Sequence, residues 1–380
     1  MCNLFKNRGS PLNCDDYRGL LISDRVSKPL ASLMQERVTP AYVAFVGESQ
    51  YGAVPGRGTA LATHVVRTFH DLCHMRAWSC FTLFLDLTKA FDKAWREVAM
   101  GWMQGVDASN RAAREAAAAQ ASLPPEVATR LAHFIETERP ALAQAGVSPH
   151  VVEMVRSLHT GAWFRVGSLD SVIVSKLGGR QGCKLGSIVF NVVYAVALNR
   201  LRTWMREAGV ILVVKVNGSS PFWASDAASA PPSLESHGAA ADNEHEVVEV
   251  TYVDDETVML ASASPGKLLA ASRRLMTELC AIFEALGLKV NFAKGKTEAL
   301  LTLRGKKSRA LNEKLRHPDG TRVLRLPNVP GSPALRLVDS YKHLGSTICE
   351  DRSLVPEGIS RASSALNAFG PIAATVLGTN

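Results

Sequence analysis

The residues Phe81-Thr82-Leu83-Phe84-Leu85 form an unbroken, mostly apolar run that stops at Asp86. Such a run fits a strand buried on both faces. After it, Thr88 to Met103 reads as a helix and Val151 to Leu158 as a short one. Trp163 to Leu177 reads as a hairpin around Ser168-Leu169-Asp170. Ser187 to Glu207 is a long helix whose first half is largely apolar. Glu246 to Val253 and Glu256 to Ala261 read as two strands joined at Asp254-Asp255. In Gly266 to Leu286 the apolar positions Leu268, Leu269, Leu275, Leu279, Ile282, Phe283 and Leu286 fall near helical spacing, and Gly287 stops the helix. The mixture predicts an α+β fold with a central antiparallel hairpin and no internal repeat.

Two stretches break this alternation. Val106 to Ala145 holds thirteen alanines in forty residues, with Pro124-Pro125 in the middle. Alanine favours helix and proline interrupts it, so two short helices are expected. Asn217 to Glu246 holds eighteen Ala, Ser, Pro or Gly in thirty residues, with five acids and no Lys or Arg, and reads as a flexible loop.

Composition narrows the class. With 380 residues, 47% hydrophobic and 21% charged, the chain is globular and long enough for two or three units. The longest apolar stretch, Leu185 to Leu198, carries Ser187 and Asn191 and falls short of the roughly 18 residues of a membrane span. The start, Met1-Cys2-Asn3-Leu4-Phe5-Lys6, shows no signal peptide, so a secreted protein is not expected. Seven scattered cysteines without a C-x-x-C pair favour a reducing compartment and disfavour a structural zinc site. The net charge is +8, and the window Lys289 to Arg325, with eleven Lys/Arg against three Asp/Glu, accounts for all of it. A basic segment on a neutral body suits a polyanion such as nucleic acid. A solvated loop is an equal reading of the charge alone.

The acids sharpen the choice. Asp86 ends one apolar strand, and Asp254 and Asp255 sit at the tip of a predicted hairpin. Singly, each reads as a turn residue. Together, carboxylates brought to one sheet edge repel one another and call for a divalent cation. Two such ions can activate a 3′-hydroxyl and stabilise a leaving pyrophosphate, which is nucleotidyl transfer.

These residues carry a family resemblance. Leu85-Asp86-Leu87-Thr88-Lys89-Ala90-Phe91-Asp92 resembles motif A of reverse transcriptases. Gly179-Arg180-Gln181-Gly182-Cys183-Lys184-Leu185 with Phe190-Asn191 resembles motif B, and Tyr252-Val253-Asp254-Asp255 motif C. Asn291 with Lys296-Thr297-Glu298 resembles motif D, and Tyr341-Lys342-His343-Leu344-Gly345 the primer grip. Lys6, Asp16-Tyr17-Arg18-Gly19, Gln50-Tyr51-Gly52 and Gly56-Arg57-Gly58-Thr59 resemble the fingers blocks. The blocks stand in the family's order, and motifs A, B and E look most like non-LTR (LINE-type) retrotransposons. Group II intron and retron-type reverse transcriptases are the competing subfamilies.

The resemblance implies an RNA-directed DNA polymerase with a right-hand fold. Its divisions would be fingers 1–80, palm 81–104 and 181–350, fingers/palm 146–180 and the start of a thumb at 351–380. The stretches 105–145 and 217–246 would be insertions, the second disordered. Asp86 and Asp254 would ligate two Mg2+ ions, for which Mn2+ can substitute. Asp255 would be a weaker or indirect ligand and the carbonyl of Leu87 a backbone one. Tyr252 and Val253 would lie near the primer end. Phe91 would be the steric gate that rejects a 2′-hydroxyl. Lys6 and Arg18 would hold the triphosphate. Gln181 and Gly182 would abut the incoming nucleotide, and Arg180 would contact template or phosphate. Lys296 would protonate the pyrophosphate, with Lys294 a second candidate. RNA template, DNA primer and dNTPs are the implied partners, and no membrane is involved. The nucleus is the implied compartment, with the cytoplasm the alternative.

The chain departs from the pattern at Gly186 and at Glu256, a fourth acid that would perturb the metal site or face solvent. The strand leading to Lys6, an endonuclease domain and a zinc knuckle are not seen, so the catalytic heart of a larger polyprotein, or a fragment, is expected. An inactive RNA-binding remnant is the alternative to an active enzyme. An RNA-dependent RNA polymerase is disfavoured by Phe91, since a small gate residue would admit ribonucleotides.

Overall fold

The computed structural model describes residues 2–5, 10–13, 17–20, 25–52, 54–88, 95–102, 106–107, 109–120, 125–165, 172–174, 178–179, 183–217 and 242–376. The chain divides into two compact units, each assembled from three stretches. The first comprises Met1–Val54, Leu87–Ala208 and Glu278–Val290; the second comprises Pro55–Asp86, Gly209–Thr277 and Asn291–Asn380. In chain order the strands are β1 (Cys2–Phe5), β2 (Tyr17–Leu20), β3 (Ser79–Leu85), β4 (Trp163–Phe164), β5 (Ile173–Val174), β6 (Leu212–Asn217) and β7 (Asp242–Val247). They continue with β8 (Glu249–Tyr252), β9 (Asp255–Ser262), β10 (Glu298–Thr302), β11 (Arg322–Arg325), β12 (Ala334–Leu337), β13 (Ser340–His343) and β14 (Ser346–Cys349).

The first unit is mainly helical. The helix Ser27–Val46 buries Ala31, Met34, Val38, Tyr42 and Val46, one stripe at three- and four-residue spacing. It packs on Lys184–Glu207. The first half of that helix is apolar on every side, and Leu185 through Leu198 is accordingly almost wholly buried. Arg202 pins the pair, its Nη2 donating to Ser49 Oγ over 2.6 Å. The Ala-rich stretch forms the helices Arg111–Gln120 and Pro125–Thr137. Pro125 opens the second of these, where its missing N–H costs nothing.

The helix expected over Thr88 to Met103 is shorter, Arg96–Met100, with residues 89–94 outside the described residues. Thr88 does not enter a helix because its N–H donates to the Lys289 carbonyl over 2.8 Å and Leu87 bridges Val290. Arg96 is buried, yet its charge is solvated by protein: Nε donates to the Gly178 carbonyl at 2.7 Å and Nη1 to the His159 carbonyl at 3.0 Å.

The second unit is built on a six-stranded sheet of order β11-β12-β10-β3-β9-β8. All its pairings are antiparallel except β10 with β12. β3 lies in its interior with all seven residues buried, as its unbroken apolar run requires. The second expected strand, Glu246 to Val253, is two strands: β7 ends at Val247, and Val248 intervenes before β8. The helix Pro265–Ala285 follows β9, and its residues up to Thr277 belong to this unit. β13 and β14 form a separate hairpin across Leu344 and Gly345, both at positive φ (50° and 81°), the backbone a two-residue primed turn demands.

The ends of the stretch 217–246 are strand, not loop. β6 and β7 pair from Leu212 with Val247 to Asn217 with Asp242, while residues 218–241 lie outside the described residues. A final helix spans Val355–Val376. Glu357 in its first turn accepts from the Thr347 N–H at 2.6 Å and from Arg361 Nε, also at 2.6 Å.

Candidate active site

The second unit brings the predicted acids together by strand register. Leu85 pairs with Glu256 across β3 and β9, so Asp86, one residue further on, stands level with Asp255. Tyr252 pairs with Asp255 across β8 and β9, leaving Val253 and Asp254 as a two-residue turn. Val253 takes φ 63°, a left-handed conformation rare for a β-branched residue. Strain of this kind is held only where surrounding structure over-determines it, and it clusters at functional sites. The hairpin's own strands are buried, Val250 in β8 and Val258 in β9 among their residues.

Asp86 is gripped by the segment that precedes β10. Its N–H donates to Thr297 Oγ1 at 3.1 Å, and that hydroxyl donates back to the Asp86 carbonyl at 3.1 Å. The Asn291 N–H donates to the same carbonyl at 2.9 Å. On the carboxylate, Asn291 Nδ2 donates to Oδ2 at 3.0 Å and Lys296 Nζ to Oδ1 at 2.9 Å. Lys296 is held in turn: the Tyr341 hydroxyl donates to its carbonyl at 2.8 Å. The Tyr341 ring stacks on Phe84 of β3 with centroids 4.3 Å apart and planes 8° from parallel. Beside it, His343 is buried, 5.3 Å from the Phe84 ring and 3.2 Å from Thr257 Oγ1.

The electrostatics follow this crowding. Asp254 and Asp255 keep solvent contact. Protein mass around the Asp255 carboxyl, and then the Asp254 and Asp86 carboxylates, push its pKa up to about 6, against the opposing charge of Lys296. Tyr341 is pushed up to about 12 by burial and by Asp86, Asp255 and Glu298. His343 is pushed down to about 4 by burial alone.

Hard carboxylate oxygens are the donor chemistry that Mg2+ and Mn2+ take, so Asp86, Asp254 and Asp255 fit such ions in kind. Among the described residues, however, no three His, Cys, Asp or Glu side chains converge closely enough to hold an ion in this conformation. Glu256, the fourth acid, does not face solvent: it is fully buried within β9.

Lys6, Phe91, Arg180, Gln181 and Gly182 lie outside the described residues. Arg18 is in β2, its backbone paired with Leu4, and Leu87 is in the first unit. Tyr252 and Val253 are half-buried at the hairpin end. Lys294, the alternative to Lys296, is exposed. The holding roles of Asn291, Thr297 and Tyr341 were missed from sequence, though all three stand in blocks that drew attention there.

No protein-family model matches the chain, and no curated protein matches its sequence. Among solved structures it is similar to telomerase from Candida albicans in complex with the TWJ fragment of telomeric RNA, at 13% identity and a TM-score of 0.35. The match covers 74% of this chain and 35% of that one, so the chain spans little more than a third of the telomerase chain. No helix among the described residues is long and apolar enough to cross a membrane.

Proposed function

We propose that the chain is an RNA-directed DNA polymerase acting by two-metal nucleotidyl transfer, of the type carried by non-LTR retrotransposons. The observation that carries the reading is the register that sets Asp86 level with Asp255 beside the strained Val253-Asp254 turn. The order of motif-like blocks along the chain supports it. In this reading the six-stranded sheet is the palm, the β13–β14 hairpin the primer grip and Val355–Val376 the first thumb helix.

Bound Mg2+ would supply Lewis acidity for the attacking 3′-hydroxyl and the leaving pyrophosphate. Asp86, Asp254 and Asp255, with the Leu87 carbonyl, would hold it. Asn291 holds the Asp86 carboxylate and Thr297 holds its main chain, which is the preorganisation such chemistry needs. Lys296 would carry the proton that the pyrophosphate takes, and Phe91 would exclude a 2′-hydroxyl. Lys6 and Arg18 would bind the triphosphate, while Arg180, Gln181 and Gly182 would meet the template and incoming nucleotide. The nucleus is the compartment this role implies.

The test is dTTP incorporation on poly(rA)/oligo(dT) with Mg2+, beside Asp254→Ala. Incorporation by the wild type alone supports the enzyme. Folded, salt-sensitive RNA binding without incorporation would replace it with the reading as a binding remnant.

A further inference from the structure

Both oxygens of the Asp86 carboxylate are already in use. Oδ2 takes the Asn291 amide at 3.0 Å, and Oδ1 takes the Lys296 ammonium at 2.9 Å. The main chain on each side is fixed as well. The backbone of Asp86 is closed by Thr297 and Asn291, and that of Lys296 by Ala293 and Tyr341, at 3.1 and 2.8 Å. What stays adjustable is the four-carbon stem of Lys296, whose side chain is 30% exposed. The ammonium therefore supplies, at Oδ1, the positive charge that a divalent cation would otherwise bring.

We propose that Lys296 is the resident counter-ion of Asp86, displaced from Oδ1 by rotation of its side chain when a divalent cation binds, while Asn291 keeps Oδ2. The inference rests on the metal-dependent reading of this site and adds an order of events to it. Lys296 is freed only once the cation has arrived, so the proton donor is armed by cofactor loading. The exchange is of charge for charge, with no bond made or broken beyond the ion pair and the coordination that replaces it.

The experiment uses the full chain. Mn2+ binding is followed by electron paramagnetic resonance, and acetylation of Lys296 by acetic anhydride is quantified by mass spectrometry, with exposed Lys294 as the internal reference. Saturating Mn2+ is expected to raise the labelling of Lys296 relative to Lys294, and Asp254→Asn to abolish the rise. Lys296→Met, checked against Lys296→Gln, is expected to bind Mn2+ about threefold to fivefold more tightly, the scale of a part-exposed ion pair. Mn2+ binding with unchanged or reduced Lys296 labelling would overturn the displacement and leave the metal reading standing. Absence of Mn2+ binding by the wild type and both lysine variants would overturn the two together.

Discussion

The Tyr341 hydroxyl donates to the Lys296 carbonyl over 2.8 Å while its ring stacks on Phe84, so one side chain ties the lysine segment to the strand that delivers Asp86. Tyr341→Phe keeps the stack and removes the hydrogen bond. The expected loss of stability is about 1 kcal/mol, since one net hydrogen bond goes. If the tie positions Lys296, kcat for primer extension falls by about tenfold with the KM for dTTP unchanged. Chemical denaturation and steady-state extension kinetics measure the two effects separately.

Gly287, at φ 76°, lies against the Trp95 indole so closely that a β-carbon there would meet ring atoms at 2.5 Å. A ring that is itself buried cannot swing aside. Gly287→Ala combines overpacking with left-handed strain and is expected to cost about 2 kcal/mol or more. A midpoint unchanged in urea denaturation would show that the first unit is looser here than its packing indicates.

His343 gives the second unit a dependence on pH. Its folded pKa, about 4, lies below the ordinary 6.5. Between those values the unfolded chain binds a proton that the folded chain does not, so stability rises with pH across this window. The contribution is whole above 6.5 and is lost as pH falls towards 4. The shift corresponds to roughly 3 kcal/mol at most. Denaturation midpoints between these limits should show the slope, and His343→Gln should flatten it.

Arg96 donates to the carbonyls of Gly178 and His159 from a buried position. Arg96→Met fills the space but leaves both acceptors without that donor. A loss of about 2–4 kcal/mol is expected, the scale of orphaned buried acceptors. Protection from hydrogen exchange should fall first at Gly178 and Gly179, beside the lost contact.

The α+β class was legible because β3 is an unbroken apolar run and β9 a strongly buried one. The acids were legible because strand ends and turns announce themselves in sequence. What grips Asp86 was not. Asn291 and Thr297 stand 205 and 211 residues away from it, and hydrogen bonds across such distances leave no periodic trace. The burial of Arg96 between two carbonyls left no signal either, since arginine is ordinarily a surface residue. The strand β7 was hidden because Asp242 to His245 is polar and becomes strand through its ladder with β6.

That ladder has a practical corollary. Asn217 and Asp242 are direct partners, so whatever is spliced between them inherits ends already held about 5 Å apart. Replacing residues 218–241 with Asn-Gly would shorten the closure and favour the fold by about 1–2 kcal/mol. A fluorophore or an affinity handle spliced at the same port is expected to leave the β6–β7 register unchanged.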